Sequence, residues 1–136
     1  MFEFQIIPRE IEVSSGHIPN TVTPTWFEHA RTPLREKVTQ LSGHSVFFGT
    51  VRHACYDFQR ELFGGSEVII RTWITRIGTS SATCRQEAWQ FNERAVIAET
   101  ILVAIDNLLR RKAPLSPTAR AYLESLLSTS ANTRIN

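Results

Sequence analysis

The chain has 136 residues, of which 15 are basic and 13 acidic, so its formal net charge is +2. This length predicts a single domain over residues 1 to 127, followed by a polar tail at 128 to 136. Hydrophobic residues make up 42% and charged residues 21%, which is typical of a folded globular protein. The small charge excess does not indicate a nucleic-acid partner.

The two cysteines, Cys55 and Cys84, match no zinc-binding or redox spacing. We therefore expect both to be reduced, small hydrophobic residues. No cluster of His, Cys and carboxylates has the spacing of metal ligands, so neither a metal nor a cofactor is implied. The most apolar run, AVIAETILVAI, contains Glu99 and Thr100, and no signal peptide is visible. These features predict a cytoplasmic protein without a membrane partner.

The first half of the chain predicts a strand and then a long helix. Segment 2 to 13 alternates apolar and polar residues, which favours a strand. The helix is expected to begin at Thr23 or Thr25 and to end at Ser42, because apolar residues recur at helical spacing between these points. Those residues are Trp26, Ala30, Leu34, Val38 and Leu41. Proline removes a helical hydrogen bond, so Pro33 predicts a kink or a break.

From residue 45 the composition changes to β-branched and aromatic residues that are separated by glycine and asparagine turns. Four long strands are predicted, near 45 to 60, 66 to 77, 82 to 92 and 95 to 106. Their short connections predict antiparallel pairing. A C-terminal helix is expected at 116 to 127, with Ser116 as its N-cap and Pro117 in the first helical position.

These elements predict an α+β fold in which a sheet of five antiparallel strands curls around one helix. The outer face of this sheet is expected to be solvated where it carries charged and polar residues. Those residues are Arg71, Thr75, Arg85 and Glu87. Trp73 and Trp89 alternate with them, so part of this face is expected to contact another subunit.

Three stretches of the chain resemble one protein family. The most specific is GHIPNTVTPTWFEHAR, which resembles a G-H-[VI]-N-N motif followed by an aromatic-rich helix that ends in E-x-A-R. The others are YDFQRELFGGSEVIIRTWITRIGTSS and ETILVAIDNLLRRKAPLSP. Their order and spacing resemble the hotdog-fold acyl thioesterases of the 4-hydroxybenzoyl-CoA thioesterase type over about residues 3 to 125. The resemblance implies a hotdog fold, hydrolysis of acyl thioesters and a homodimer or homotetramer.

The resemblance also implies catalytic residues, with one departure from the family pattern. Many members carry an aspartate four residues before the histidine, and Val13 occupies that position here. The segment Gln59 to Leu62 is similar to the R-R-E-C stretch of plant acyl-carrier-protein thioesterases, in which a glutamate works with the histidine. Carried over to this chain, Glu61 is the base, His17 is its partner, and Asn20 orients water or substrate.

Physical chemistry supports this choice of residues. Thioester hydrolysis needs a base for water and donors for the oxyanion that develops on the carbonyl oxygen. Phe58, Leu62 and Phe63 surround Glu61 in sequence, so partial burial and a raised pKa are expected. Alternatively, His17 and Asn20 form only a polar turn, and Glu61 is a solvated charge at the end of a strand.

Further residues are candidates for substrate binding. Arg110, Arg111 and Lys112 follow the last long strand and are expected to attract the phosphates of coenzyme A or of an acyl carrier protein, unless they form a solvated loop. The acyl pocket is expected between helix and sheet, where Phe27, Leu34, Phe48 and Phe58 are candidate lining residues. Coenzyme A or phosphopantetheine would enter as part of the substrate. Aromatic residues at this spacing are also typical of an ordinary core.

Two other functions stay open at the sequence level. A hotdog hydratase or dehydratase also uses a histidine and a carboxylate on a thioester, but HIPN lacks the Phe-Pro run of that class. A non-catalytic protein that binds acyl thioesters or serves in assembly would explain the missing aspartate.

Overall fold

A computed structural model of the chain describes residues 1–128. The predicted tail at 128 to 136 therefore lies outside the described residues, except for Ser128. Six strands form one antiparallel sheet in the order β1-β3-β4-β5-β2, with β6 paired to β5. The strands are β1 (Phe2–Ile6), β2 (Val46–Phe58), β3 (Val68–Ile77), β4 (Ser81–Gln90), β5 (Glu93–Asp106) and β6 (Arg111–Lys112). The helices are α1 (Thr23–Ala30), α2 (Thr32–Leu41) and α3 (Pro117–Ser125).

The predicted long helix is present and breaks where the proline predicted a break. Helix α1 ends at Ala30 and α2 begins at Thr32, with Arg31 between them. Pro33 lies in the first turn of α2. Backbone N–H groups in a first turn have no acceptor within their own helix, so a proline costs no helical hydrogen bond there. Helix α3 begins as predicted, because the Ser116 hydroxyl accepts a hydrogen bond from the Ala119 N–H at 3.1 Å. No helix within residues 1–128 is both long enough and apolar enough to span a membrane.

The N-terminal prediction was wrong beyond residue 6. The strand stops at Ile6, and a short 3-10 helix covers Glu10–Glu12. Glu12 Oε1 accepts the Arg9 N–H at 2.8 Å, and this contact closes the turn. Ile11 is 84% exposed, so the apolar alternation that predicted a strand does not reflect a buried face here.

The helices pack on one face of the sheet, and their break divides the core into two clusters. The α1 cluster is centred on Trp26, Phe27 and Ala30, which pack against residues of the sheet and the nearby loops. The α2 cluster is centred on Leu34 and Val38 and includes residues of α3. This arrangement of a curled antiparallel sheet on a central helix agrees with the expected α+β hotdog architecture.

The outer face of the sheet differs from the prediction of a solvated surface. Arg85 and Glu87 are 3% and 6% exposed. Arg85 Nη2 lies 2.9 Å from a carboxylate oxygen of Glu87, and Arg94 Nη1 lies 3.4 Å from the same oxygen. The Trp89 indole N–H donates to the other oxygen of Glu87 at 3.0 Å. Burial is tolerated because these charges are paired and hydrogen-bonded.

One edge of the sheet is open along strand β2. Within the described chain, β2 pairs only with β5, over 13 residues from Val46 to Phe58. The middle of the strand, from Thr50 to Ala54, is exposed. A long unpaired edge carries free backbone donors and acceptors and is a template for pairing with a second chain.

Candidate active site

The two stretches that carry the predicted catalytic residues lie side by side. Glu61 belongs to the loop that follows β2, and both the Gln59 and Arg60 N–H groups donate to the Ala95 carbonyl, at 2.8 and 3.0 Å. The Ile18 N–H donates to the Leu62 carbonyl at 2.7 Å. These bonds tie the loop to the start of β5 and to the segment that contains the histidine.

This backbone pairing brings His17 and Glu61 together. His17 Nδ1 lies 3.0 Å from Glu61 Oε2, within ion-pair distance. Among residues 1–128, His17 Nδ1 has no hydrogen-bond partner, so this contact is a close approach of the two groups and not a hydrogen bond. The side chains are 44% and 66% exposed, so Glu61 is more open to water than its apolar sequence neighbours predicted. The Phe63 ring packs 5.7 Å from the imidazole.

A first cleft of about 260 Å³ opens beside this pair. Its lining includes Asn20, Thr23, Phe58 and Glu61. Thr23 is the first residue of α1, and neither its N–H nor that of Asn20 has a backbone acceptor within residues 1–128. The free N–H groups at the start of a helix favour negative charge, so this wall of the cleft suits a developing oxyanion.

A second cleft of about 310 Å³ is also lined by Glu61. Phe63 and Phe91 form its apolar wall, with ring centroids 6.5 Å apart. Arg60 and Glu93 also line this cleft, and Arg60 Nη1 lies 3.3 Å from Glu93 Oε2. Glu61 therefore lines both clefts.

Val13, which replaces the family's aspartate, packs against the core in this chain. Val13 is partly buried against the α1 cluster, and its Cγ2 lies 2.7 Å from where a β-carbon would stand on Gly64. The neighbouring Glu12 is already engaged. Burial raises its pKa, but hydrogen bonds from the Arg9 N–H and the Trp26 indole outweigh this and lower the pKa. Neither residue offers a free base.

The predicted acyl-pocket residues divide into core and cleft. Phe27, Leu34 and Phe48 are fully buried in the core. Phe58 lines the first cleft, and the ring of Tyr56 stacks between it and Phe27, with centroid separations of 6.2 and 6.0 Å. Phe58 therefore lines the first cleft, whereas Phe27 is a core residue that does not line it.

The basic run does not approach this site within one chain. Arg111 and Lys112 form β6, and Lys112 pairs with Ile105 near the far end of β5. Ile105 lies ten residues from Ala95 along the strand, roughly 33 Å at the usual strand rise. A third, basic cleft of about 210 Å³ opens there, lined by two cations, three hydroxyl-bearing residues and a valine. Its residues are Arg52, Thr79, Ser80, Ser81, Val103 and Lys112.

Two buried glutamines that support the site were not identified from the sequence. Gln90 bonds to the loop after Glu61, and Gln86 accepts a hydrogen bond from Arg31 at 3.0 Å and donates to the Phe27 carbonyl at 2.9 Å. Arg31 is itself buried, and its guanidinium donates to this neutral amide. In the sequence, the signal for this role was that Gln86 and Gln90 are polar residues at positions of β4 that alternate with outward-facing residues. Within residues 1–128, no three or more His, Cys, Asp or Glu side chains are grouped to hold a metal ion.

A central helix lies on one antiparallel sheet, and a carboxylate and an imidazole lie close together near the N-terminus of that helix. The model of the thioesterase superfamily matches residues 15–97, which is more than half of the chain. The chain belongs to the thioesterase superfamily. No curated protein has a matching sequence.

Several solved structures share the fold. A predicted thioesterase from Bacillus stearothermophilus is 26% identical with a TM-score of 0.86, covering 93% of this chain and 96% of that one. A thioesterase from Thermus thermophilus, complexed with coenzyme A and Zn, is 21% identical with a TM-score of 0.76 over 89% and 95%. A hypothetical protein from Staphylococcus aureus in complex with CoA is 10% identical with a TM-score of 0.82 over 99% and 94%.

Proposed function

We propose that the protein hydrolyses an acyl thioester of coenzyme A or of an acyl carrier protein, with Glu61 as the base. The observation that carries the proposal is the 3.0 Å contact between His17 Nδ1 and Glu61 Oε2, since Glu61 lines the first cleft. A water molecule gives a proton to the Glu61 carboxylate as its oxygen attacks the thioester carbonyl. Collapse of the tetrahedral intermediate breaks the C–S bond, and the thiolate takes up that proton.

His17 holds the carboxylate in place in this mechanism. The imidazole lies against the Phe63 ring, which limits its movement, and Nδ1 lies 3.0 Å from the carboxylate. A side chain that is 66% exposed would otherwise sample several rotamers. A fixed carboxylate that is still open to water suits a base whose substrate is water.

Asn20 and the start of α1 serve the oxyanion. The Asn20 and Thr23 N–H groups are free of backbone acceptors within residues 1–128, and both residues line the same cleft as Glu61. The Asn20 amide supplies a further donor at this wall. Removing a single donor from such a site typically lowers kcat about 10²- to 10³-fold.

The open edge of β2 and the distant basic run support a dimer. Two-fold antiparallel pairing of β2 with a second copy would set Phe58 of one chain opposite Val46 of the other. Since Val46 pairs with Asp106, and Asp106 with Arg111, the basic run would then lie three strands from the first cleft. Three strand spacings are about 14 Å. In this arrangement Arg110, Arg111 and Lys112 contact the phosphates of the substrate bound to the other subunit. Coenzyme A bound to the same fold in the two neighbours named above is consistent with this role.

The missing aspartate favours a second candidate, a protein that binds acyl thioesters without cleaving them. Val13 packs on Gly64 and carries no group that can act as a base or a nucleophile. This candidate predicts saturable binding with no release of thiol. A cytoplasmic location stays a prediction for either function.

The test is thiol release from a panel of short, long and aryl thioesters of coenzyme A and of an acyl carrier protein. Glu61→Ala and Glu61→Gln should each lower kcat about 10²- to 10⁴-fold, because both remove the base. Glu67→Ala is the matched control, since it removes an exposed glutamate outside either cleft.

Unfolding curves for all three variants should superimpose on that of the wild type, because Glu61 is exposed. Turnover by Glu61→Ala within twofold of the wild type would remove Glu61 from the mechanism. Saturable binding without any hydrolysis by the wild type would favour the second candidate.

A further inference from the structure

The turn between β5 and β6 is built to hold one conformation. Asp106 Oδ1 accepts the N–H groups of Leu108 and Leu109 at 2.9 and 3.0 Å, and the Ser45 hydroxyl at 3.2 Å. The Arg110 N–H donates to the Asp106 carbonyl at 2.8 Å, with Arg110 in the left-handed region at φ 55°. A side-chain-bearing residue adopts that region only where its surroundings impose it. The turn is therefore ordered by its own hydrogen bonds.

This ordered turn displays two leucines, which we call the leucine tip. Leu108 is 75% exposed and Leu109 is 59% exposed. Single exposed apolar residues are common, but two adjacent leucines on a fixed turn form a contiguous apolar surface. Their side chains contribute nothing to the turn, since the bonds that hold it use backbone groups and Asp106. The apolar surface is thus available for contact with another molecule.

Three cations adjoin the leucine tip. Arg110, Arg111 and Lys112 are exposed, and none forms a salt bridge among residues 1–128, although Arg111 interacts electrostatically with Asp106. A free phosphate or coenzyme A would satisfy the cations and leave the leucines in water. An acidic protein surface with an apolar patch would satisfy both, because its carboxylates match the cations and its patch covers the leucines.

We propose that the leucine tip and its three cations form the docking surface for an acidic carrier protein that presents the acyl group on a phosphopantetheine arm. This inference rests on the proposed thioesterase function and selects the carrier-bound thioester as the substrate class. The carrier body binds at the tip of one subunit, and its arm reaches the first cleft of the other across the paired β2 edges. The cations contact the arm's phosphate and the carrier's carboxylates.

The test compares kcat/KM for one octanoyl group carried by an acidic acyl carrier protein and by coenzyme A. Leu108→Ser with Leu109→Ser should lower kcat/KM on the carrier protein about 30-fold, the loss expected when two partly buried leucines lose their contacts. Hydrolysis of octanoyl-CoA should stay within twofold of the wild type. Ile11→Ser is the matched control, since it removes an exposed apolar side chain elsewhere on the surface.

Each alternative has its own outcome. An equal loss on both substrates, or no loss on either, would overturn the proposal. Binding to phosphatidylglycerol vesicles that the double variant loses, with carrier turnover unchanged, would assign the tip to a membrane surface instead. A changed oligomeric state with carrier turnover unchanged would assign it to a second copy of this chain.

A binding measurement keeps the inference testable if the proposed function fails. When the wild type cleaves neither octanoyl substrate, titration with the phosphopantetheine-bearing carrier protein alone still reports docking. The double variant should then bind about 30-fold more weakly than the wild type. Equal binding would overturn the docking surface independently of catalysis. As a control, thermal unfolding and circular dichroism of the double variant should match those of the wild type, because the two leucines are exposed.

Discussion

The side chain of Gln90 bonds to both backbone groups of Phe63. Its Oε1 accepts the Phe63 N–H at 2.9 Å, and its Nε2 donates to the Phe63 carbonyl at 2.9 Å and to the Ser66 carbonyl at 3.1 Å. Gln90 is buried at the end of β4, so it acts as a rigid support for the loop that carries Glu61. The position of the proposed base therefore depends on Gln90, which fixes the backbone two residues further along that loop.

Gln90→Ala should reduce both stability and turnover. The substitution leaves three backbone groups without their partner, which should lower the free energy of unfolding by about 2 kcal/mol. The turnover number should fall further than the folded fraction does, because the loop moves away from His17. Denaturant unfolding and thiol release measure the two effects. Gln40→Ala, at an exposed position of α2, should change neither. Normal kcat in a destabilised Gln90→Ala protein would contradict the supporting role.

Asn20→Ala should impair catalysis without affecting the fold. Asn20 is exposed and lines the first cleft, so its loss removes a donor and little packing. We expect kcat to fall about 10²- to 10³-fold with the melting temperature unchanged. Thr21→Ala is the neighbouring control, since Thr21 is exposed and lines neither cleft. Equal kcat values for the two variants would show that the Asn20 amide does not serve the oxyanion.

Glu12→Gln should change how stability depends on pH. The pKa of Glu12 is lower in the folded chain than its ordinary value of 4.5, so the ionised carboxylate favours folding. This contribution is complete above the ordinary value and is lost as the pH falls through the folded value. The variant should therefore be less stable at neutral pH by about 1 kcal/mol, from weakened bonds to Arg9 and Trp26. Denaturant unfolding should show this difference shrinking as the pH falls below the ordinary pKa of 4.5. A difference that is constant with pH would contradict the assignment.

The two thiols should differ in reactivity. Burial raises the pKa of Cys84 to about 12, and its side chain is fully buried, so both the thiolate and access for a reagent are lacking. The Cys55→Ser variant retains only Cys84. Its native form should not react with a thiol reagent at pH 8, and its denatured form should react with one equivalent. A colorimetric thiol assay measures both states. Rapid labelling of the native variant would mean that the α2 cluster opens readily.

The sequence predicted the elements that depend on local chemistry. Pro33 predicted the helix break, and Ser116 predicted the start of α3, because backbone hydrogen bonding within a few residues determines both. The four long strands followed from β-branched composition and from turns. The 3-10 helix at Glu10–Glu12 escaped prediction, since its alternating pattern matched a strand while the Glu12 contact to Arg9 determined the conformation.

The candidate site was predictable only in part. His17, Asn20 and Glu61 came from a resemblance, and the fold brings the first and third together through long-range pairing that no local pattern encodes. The supporting role of Gln90 depends on an inward orientation in β4 and on a loop 27 residues earlier. Burial of Arg85 and Glu87 on the outer face was equally invisible, because it requires pairing between charges that a sequence pattern treats as solvated.

The break at Arg31 leaves the interior in two separately packed halves. Substitutions around Trp26 would alter the lining near the first cleft, while Leu34, Val38 and α3 keep their own contacts. Substitutions could thus accumulate at one end of the molecule while the other end preserves the fold. A single continuous core would tolerate fewer such substitutions.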